Sequence, residues 1–248
     1  MNKHSVGLAP LVIVLLLAGA AIIGLGAYFA LGNRQTRISA ESTVEPTTTG
    51  ATAISSPDPS HDANIRKSFE EYKKIALLKD GQRAVLYADT STLAYYSDIL
   101  HLAKSGNKTD IQRKRFVDQL TILMLRHSFD ASRILALQNG TDVFALSIDN
   151  GLISESATAS LELGKIVING NEAFAEILSE QGIEPVQLRF AYEGGRWKID
   201  FSSLLVFADT QFGAVVNGSG LTQEEFILRI LESSTGTRPT NTIWEPLI

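Results

Sequence analysis

The sequence predicts an α+β domain in which helices come first, antiparallel hairpins follow and helices return. Three observations predict it. Apolar residues recur at three- to four-residue steps from Asn64 onwards. After Gly151 the apolar period switches towards two. Two glycine turns, Asn169-Gly170 and Gly194-Gly195, each separate two alternating runs. Helices segregated against an antiparallel sheet give the α+β layout, and no internal repeat is visible.

The helical elements follow in order. Asn64 is a suitable N-cap for a helix in which Phe69, Tyr72, Ile75 and Leu78 fall at three-residue steps before Asp80-Gly81 breaks it. A short helix fits 82–88. Another fits 92–105, with Ser91 as cap, Leu93, Tyr96 and Leu100 on one face, and Gly106 as terminator. Residues 104–108 read as a loop. The stretch 113–127 is apolar almost all round (Phe116, Val117, Leu120, Ile122, Leu123, Met124, Leu125), which predicts a buried helix. Residues 141–151 read as one more short helix, carrying Phe144 and Ile148.

Strands are expected over 161–168 and 173–178, but a two-residue Asn169-Gly170 turn sets Lys165 opposite Phe174, an untidy register. The second hairpin is better specified. A Gly194-Gly195 turn pairs Tyr192 with Trp197, Phe190 with Ile199 and Leu188 with Phe201 on one face. On the other face it opposes Glu193 to Arg196 and Arg189 to Asp200. One face is apolar and the other alternates charge, and a slip of one residue destroys both patterns. Helix returns over 204–216. Thr222 and Glu225 then form a capping box ahead of Phe226, Ile227, Ile230 and Leu231, and Gly236 ends that helix. The tail 242–248, with Trp244 and Pro246, is too apolar for a free end and is expected to pack back on the domain.

Ahead of the domain lies a different kind of sequence. From Leu8 to Leu31 no residue is charged. A helix of that length spans roughly 36 Å, more than the roughly 30 Å hydrocarbon core of a bilayer. Residues 8–31 are therefore expected to be a transmembrane anchor contacting the lipid bilayer, with Tyr28 near its far end. The rival is a cleaved signal peptide ending at Ala30-Leu31-Gly32, whose apolar region would be long against the usual ~7–15 residues. Orientation has arguments both ways. Arg34 and Arg37 after the span, against Lys3 before it, favour a cytoplasmic domain, whereas the short N-terminal tail and the following segment favour an extracytoplasmic one. Residues 38–63, rich in Ser, Thr, Ala and Pro, read as a disordered linker. The domain is then expected over 64–248.

Composition excludes several classes. The chain of 248 residues has no cysteine, so disulfides, thiolate metal sites and cysteine nucleophiles are out. Residues 1–37 hold three of the 22 bases and none of the 27 acids, which leaves a net charge of −8 beyond them. So acidic a domain is a poor partner for nucleic acid.

The stretch 69–81, the segment Thr92-Leu93-Ala94-Tyr95-Tyr96 and the strand Gly194-Gly195-Arg196-Trp197-Lys198-Ile199 together resemble the nuclear transport factor 2-like superfamily. The resemblance covers about 64–205, rests on element order and the Trp197 hairpin, and includes no catalytic motif; the helical C-terminal extension departs from the family pattern. It implies a cone, with a curved antiparallel sheet wrapped on N-terminal helices. The superfamily includes ketosteroid isomerase and scytalone dehydratase, membrane-anchored assembly subunits of type IV secretion systems, and many proteins without activity, so the fold alone does not assign a function.

No phosphate-binding loop, HExxH or nucleophile elbow is present, and no cofactor or metal site is expected. Of the four histidines, His4 and His61 fall in the flanks expected to be disordered, and His101 lies on a polar helix edge. His127 ends the most buried helix, three residues before Asp130. The resemblance implies a His–carboxylate pair for proton transfer in a cone of this kind. A cation satisfying the last carbonyls of a helix is the simpler role. Tyr95 and Tyr96 are candidate phenolic donors, of which at most one faces inward because adjacent helix positions diverge by about 100°. Asp200 is expected outside, as an exposed ion pair with Arg189. Arg113-Lys114-Arg115 is a basic run at a helix start, placed against the macrodipole. Three glycosylation triplets, at Asn107, Asn139 and Asn217, are expected in loops. The combined expectation is a membrane-tethered binding or assembly module with an envelope protein partner or a second copy of itself. The alternative is a pocket protein or lyase/isomerase using His127 and Asp130.

Overall fold

Four strands form an antiparallel meander in the order β1-β2-β3-β4, so each hairpin partner is the next strand in the chain. The computed structural model describes residues 59–151, 161–178 and 186–248. The strands are β1 (Glu162–Asn169), β2 (Glu172–Leu178), β3 (Val186–Glu193) and β4 (Arg196–Asp200). The helices before them are α1 (Pro59–Leu77), α2 (Gly81–Ala84), α3 (Thr90–Ser105), α4 (Lys108–Gln112), α5 (Phe116–Ser128), α6 (Ala131–Ala136) and α7 (Gly140–Asp149). After the sheet come α8 (Leu205–Ser219) and α9 (Gln223–Thr235). The fold is α+β, as the sequence predicts.

Helix α1 begins at Pro59, so residues 59–63 belong to the domain and not to the linker, and Asn64 lies inside the helix. Proline at the first helical turn loses no bond, because its missing N–H would be unpaired there anyway. Ile65, Phe69, Tyr72 and Ile75 recur at steps of four, three and three and are all buried. Phe69 meets Phe190 of β3 edge-to-face at 6.4 Å, and Tyr72 meets Phe201 at 4.9 Å. This face fixes α1 on the sheet, each such side chain contributing about 1.5–3 kcal/mol by leaving water. Arg66 donates to Leu163 O and Gly164 O, and Lys73 to Leu161 O. Both cations thereby satisfy carbonyls at the start of the edge strand β1.

The second hairpin has the predicted register. Tyr192 pairs with Trp197, Phe190 with Ile199, Arg189 with Asp200 and Glu193 with Arg196. Gly194 and Gly195 both take positive φ, +59° and +79°, as a tight two-residue turn between twisted strands demands. The Leu188–Phe201 pair does not form, because β4 stops at Asp200 and Phe201–Leu204 coil into a 3-10 turn. The first hairpin turns one residue later than predicted. Asn169 pairs with Glu172, so Gly170-Asn171 is the loop, with Gly170 at φ +59°. Val167 thus faces Phe174, where the two-residue Asn169-Gly170 turn would put Lys165, and a bulge between Leu163 and Ile166 shifts the register once more.

Other boundaries move for reasons of capping. Asp89, rather than Ser91, caps α3. Asn107 forms a full capping box with Asp110, so the predicted loop at 104–108 is the junction of α3 and α4. Asn139 caps α7, and Asn217 lies within α8, so none of the three glycosylation triplets sits in a plain loop. Helix α5 buries ten consecutive residues from Phe116 to Leu125, as its all-round apolarity predicts. The tail packs back: Ile243 and Trp244 are buried, and Leu247 N–H donates to Lys104 O at 2.7 Å. Arg126 ties this region together, donating to the carbonyls of Leu102, Ala103, Gly106 and Ile243.

Candidate functional site

A set of ionisable groups gathers where α3 begins, against the end of β4. A helix N-terminus carries unpaired N–H groups and a positive partial charge, and carboxylates collect there. Asp89 Oδ1 accepts from Thr92 N–H at 2.8 Å. Glu193 accepts from Thr90 N–H at 3.2 Å and from its hydroxyl at 2.9 Å. Asp89 N–H in turn donates to Ile199 O, and Ala88 bridges Ile199 in parallel, which covers the free edge of β4. Asp89 is 1% exposed and its Oδ2 has no hydrogen-bond partner. Burial holds its carboxyl above the usual carboxylate range. The Asp200 and Glu193 charges push the same way, and the Thr92 bonds oppose them.

Asp200 corrects the sequence reading. It lies on the face opposite Trp197, as predicted, yet is only 3% exposed. Its carboxylate accepts from Arg189 Nη1 at 2.6 Å, from the Ser202 hydroxyl at 2.5 Å and from Ser203 N–H at 3.1 Å. The 3-10 turn after β4 folds these serines over it, which a strand register cannot show. Arg189 also holds Glu172, and both carboxylates raise the pKa of its guanidinium. This is a buried, charge-assisted network and not an exposed pair.

The four candidates named from the sequence do not converge. His127 Nε2 donates to Thr237 O at 2.9 Å and lies 2.7 Å from Thr235 Oγ1, tying the end of α5 to the end of α9. Asp130 is exposed, and no hydrogen bond or ion pair joins it to His127 among the described residues. Tyr96 is buried among Phe144 and Tyr95, at ring distances of 5.6 and 5.2 Å. Burial raises the pKa of its phenol. The Tyr95 hydroxyl is buried beside Asp118 and Thr121 without a well-formed hydrogen bond. Burial first, and then the Asp118 charge, push its pKa well up. Asp118 is itself gripped by Arg115 through two 3.0 Å bonds. Between α1, α3, α7 and the end of β4, the space is filled by Tyr72, Phe201, Phe144 and Tyr96, each ring meeting the next in that order.

Openings occur instead at the surface. A shallow hollow of about 470 Å³ is lined by His101, Ser105, Asp110, Arg113 and Lys114 among others. A second, of about 320 Å³, lies across Lys114 and Arg115 towards Asp209 and Asn217 on α8. Arg113 and Lys114 are exposed and have no acidic partner among the described residues. They follow the carbonyl end of α4 as well as preceding α5, so their charge is not simply set against a dipole.

No protein-family model, no curated protein sequence and no solved structure matches this chain. Among the described residues no group of three or more His, Asp or Glu side chains fits a metal ion, and no helix is long and apolar enough to cross a membrane. Residues 8–31, to which the anchor is assigned, lie outside the described residues.

Two features escaped the sequence. Asp89 was masked by a run of three capping residues, Asp89-Thr90-Ser91, any of which can cap a helix. Composition assigns His61 to the linker, but it sits in the first turn of α1 and accepts a hydrogen bond from Trp197 Nε1 at 3.0 Å. The pattern Pro59-x-His61-Asp62, proline and acid ahead of an apolar period, was the available signal.

Proposed function

We propose that the chain is a membrane-tethered, non-catalytic binding or assembly module of the cell envelope, whose domain is of the nuclear transport factor 2-like kind. The observation that carries this reading is the pairing of a charge-free 8–31 run and a Ser/Thr/Pro linker with a domain whose interior is filled by Tyr72, Tyr96, Phe144 and Phe201. Three of the reactive groups are spent on structure: His127 on helix ends, Asp118 on Arg115, Asp200 on Arg189. Function then resides on the outer surface, towards a protein partner or a second copy. A linker over 38–58 gives an r.m.s. reach of roughly 23–27 Å, so the domain stays close to the bilayer, on its extracytoplasmic side.

The test uses the full-length protein in its native membranes. It should remain in the pellet after high-salt and carbonate washing, and the domain should be cleaved by protease added from the extracytoplasmic side. Short-range cross-linking in those membranes should give discrete higher-mass species. Recovery as an uncross-linked monomer under all conditions opposes the assembly role, and a soluble mature form starting near Asn33 opposes the anchor.

A further inference from the structure

The first turn of α1 meets β4 through a hydrogen bond between two side chains, Trp197 Nε1–H to His61 Nδ1 at 3.0 Å. Indole is a donor only. The geometry therefore fixes the state of the imidazole: Nδ1 bears the lone pair and the ring proton sits on Nε2. A second proton on this ring removes the acceptor and sets N–H against N–H.

Among the described residues the surroundings offer the imidazolium no carboxylate of its own. His61 meets Trp197 edge-on at 5.6 Å and Tyr192 edge-on at 5.8 Å. Asp62, next in the helix, is bound to Arg66 at 2.7 Å. On the strands, Glu193 is engaged by Thr90 and lies 3.6 Å from Lys198, and Arg196 lies over the Tyr87 ring. None of these charges pairs with His61 among the described residues. Trp197 itself is 1% exposed and anchored by the hairpin, so the helix end is the part free to leave.

We propose that His61 and Trp197 form a proton-operated latch: the neutral imidazole holds the point where the chain enters the domain against β4, and protonation releases it. The consequence is a change in where residues 59–61 point, while Asp62, held by Arg66, the sheet and the rest of α1 stay in place. Arg66, Phe69, Tyr72 and Lys73 still bind that helix further along. The latch does not depend on whether residues 8–31 enter a membrane.

The chain supplies its own reference. It has two tryptophans, and the Nε1 of the other, Trp244, is buried without a hydrogen-bond partner. In the full-length protein in detergent micelles, labelled with 15N-tryptophan, the Trp197 indole proton should move upfield on acidification from neutral pH. The Trp244 signal should stay put. Amide exchange over 60–65 should rise roughly five- to tenfold across the same range, as expected for the loss of one hydrogen bond of ordinary strength. His61→Gln, which keeps an acceptor but does not titrate, should leave the Trp197 signal independent of pH and the helix end protected. A Trp197 signal that ignores pH in the unmodified protein, one that still titrates in His61→Gln, or both indoles moving together would each overturn the latch.

Discussion

Neutralising Asp200 separates a buried network from an exposed pair. In Asp200→Asn the side-chain oxygen still accepts from Ser203 N–H and the Ser202 hydroxyl, but the charge facing Arg189 is lost, and an amide N–H₂ occupies the position of the oxygen 2.6 Å from Nη1. A hydrogen bond to a charged group contributes about 1.5–3 kcal/mol, and breaking a fully buried pair costs about 3–5 kcal/mol. Arg189 is 28% exposed and keeps Glu172, so solvent and the second carboxylate absorb part of the loss. The expected cost is about 2–3 kcal/mol, well above the ~1 kcal/mol ceiling of an exposed cross-strand pair. Urea unfolding of the full-length protein in mild detergent, followed by tryptophan fluorescence, measures it. Glu172→Gln, at the outer end of the same guanidinium, should stay within about 0.5 kcal/mol and serves as the control. If Asp200→Asn is as mild as Glu172→Gln, the carboxylate is solvated and the 3-10 turn does not cover it.

Four more outcomes follow from the same kind of reasoning. Asp89 carries a pKa raised by burial, so its contribution to stability is full below the unfolded carboxyl pKa and is lost as pH rises through the folded value. Asp89→Asn keeps the Thr92 cap and should therefore be more stable than wild type at neutral pH, a gain that disappears in acid unfolding curves. Tyr95→Phe removes a buried hydroxyl that makes no good hydrogen bond, and should be neutral or slightly stabilising in thermal melts; a large loss would show an undetected partner. Gly140→Ala places a Cβ 1.9 Å from Leu93 O and 2.6 Å from Ser97 N, both backbone atoms, so α7 must back away from α3 at a cost of about 1–3 kcal/mol or more in the same urea assay. Trp197→Ala should cost about 3–5 kcal/mol, and a small loss would place this ring at the surface.

What the sequence could tell depended on how many constraints met at a residue. The register of the Trp197 hairpin was legible as far as Arg189–Asp200 because its turn needs two positive φ angles and its two faces carry opposed patterns. In the first hairpin Asn169, Gly170 and Asn171 are all good turn formers, and Gly164 allows a bulge, so one register could not be singled out. The start of α1 was hidden because Pro59, Ser60 and His61 continue the linker's composition while serving as a helix first turn. Register identified the face on which Asp200 lies but not what lies over that face. The serines that bury it come from the turn after the strand, where the period of two no longer applies. The same limit hid Asp89 and the Trp197–His61 bond, whose partners are brought together only by tertiary packing.

Arg126 imposes an order on the birth of the molecule. Its guanidinium, whose pKa burial lowers, has three carbonyl partners at the end of α3, all made before it, and a fourth, Ile243 O, made 117 positions later. During synthesis α3 and α5 can dock around Arg126 while the sheet, α8 and α9 are still to come, but its Nη1 must wait on water until Ile243 leaves the ribosome. The clasp is closed from the far end of the chain. A chain that stalls short of Ile243 leaves Nη1 hydrated and the packing positions of Ile243 and Trp244 unfilled.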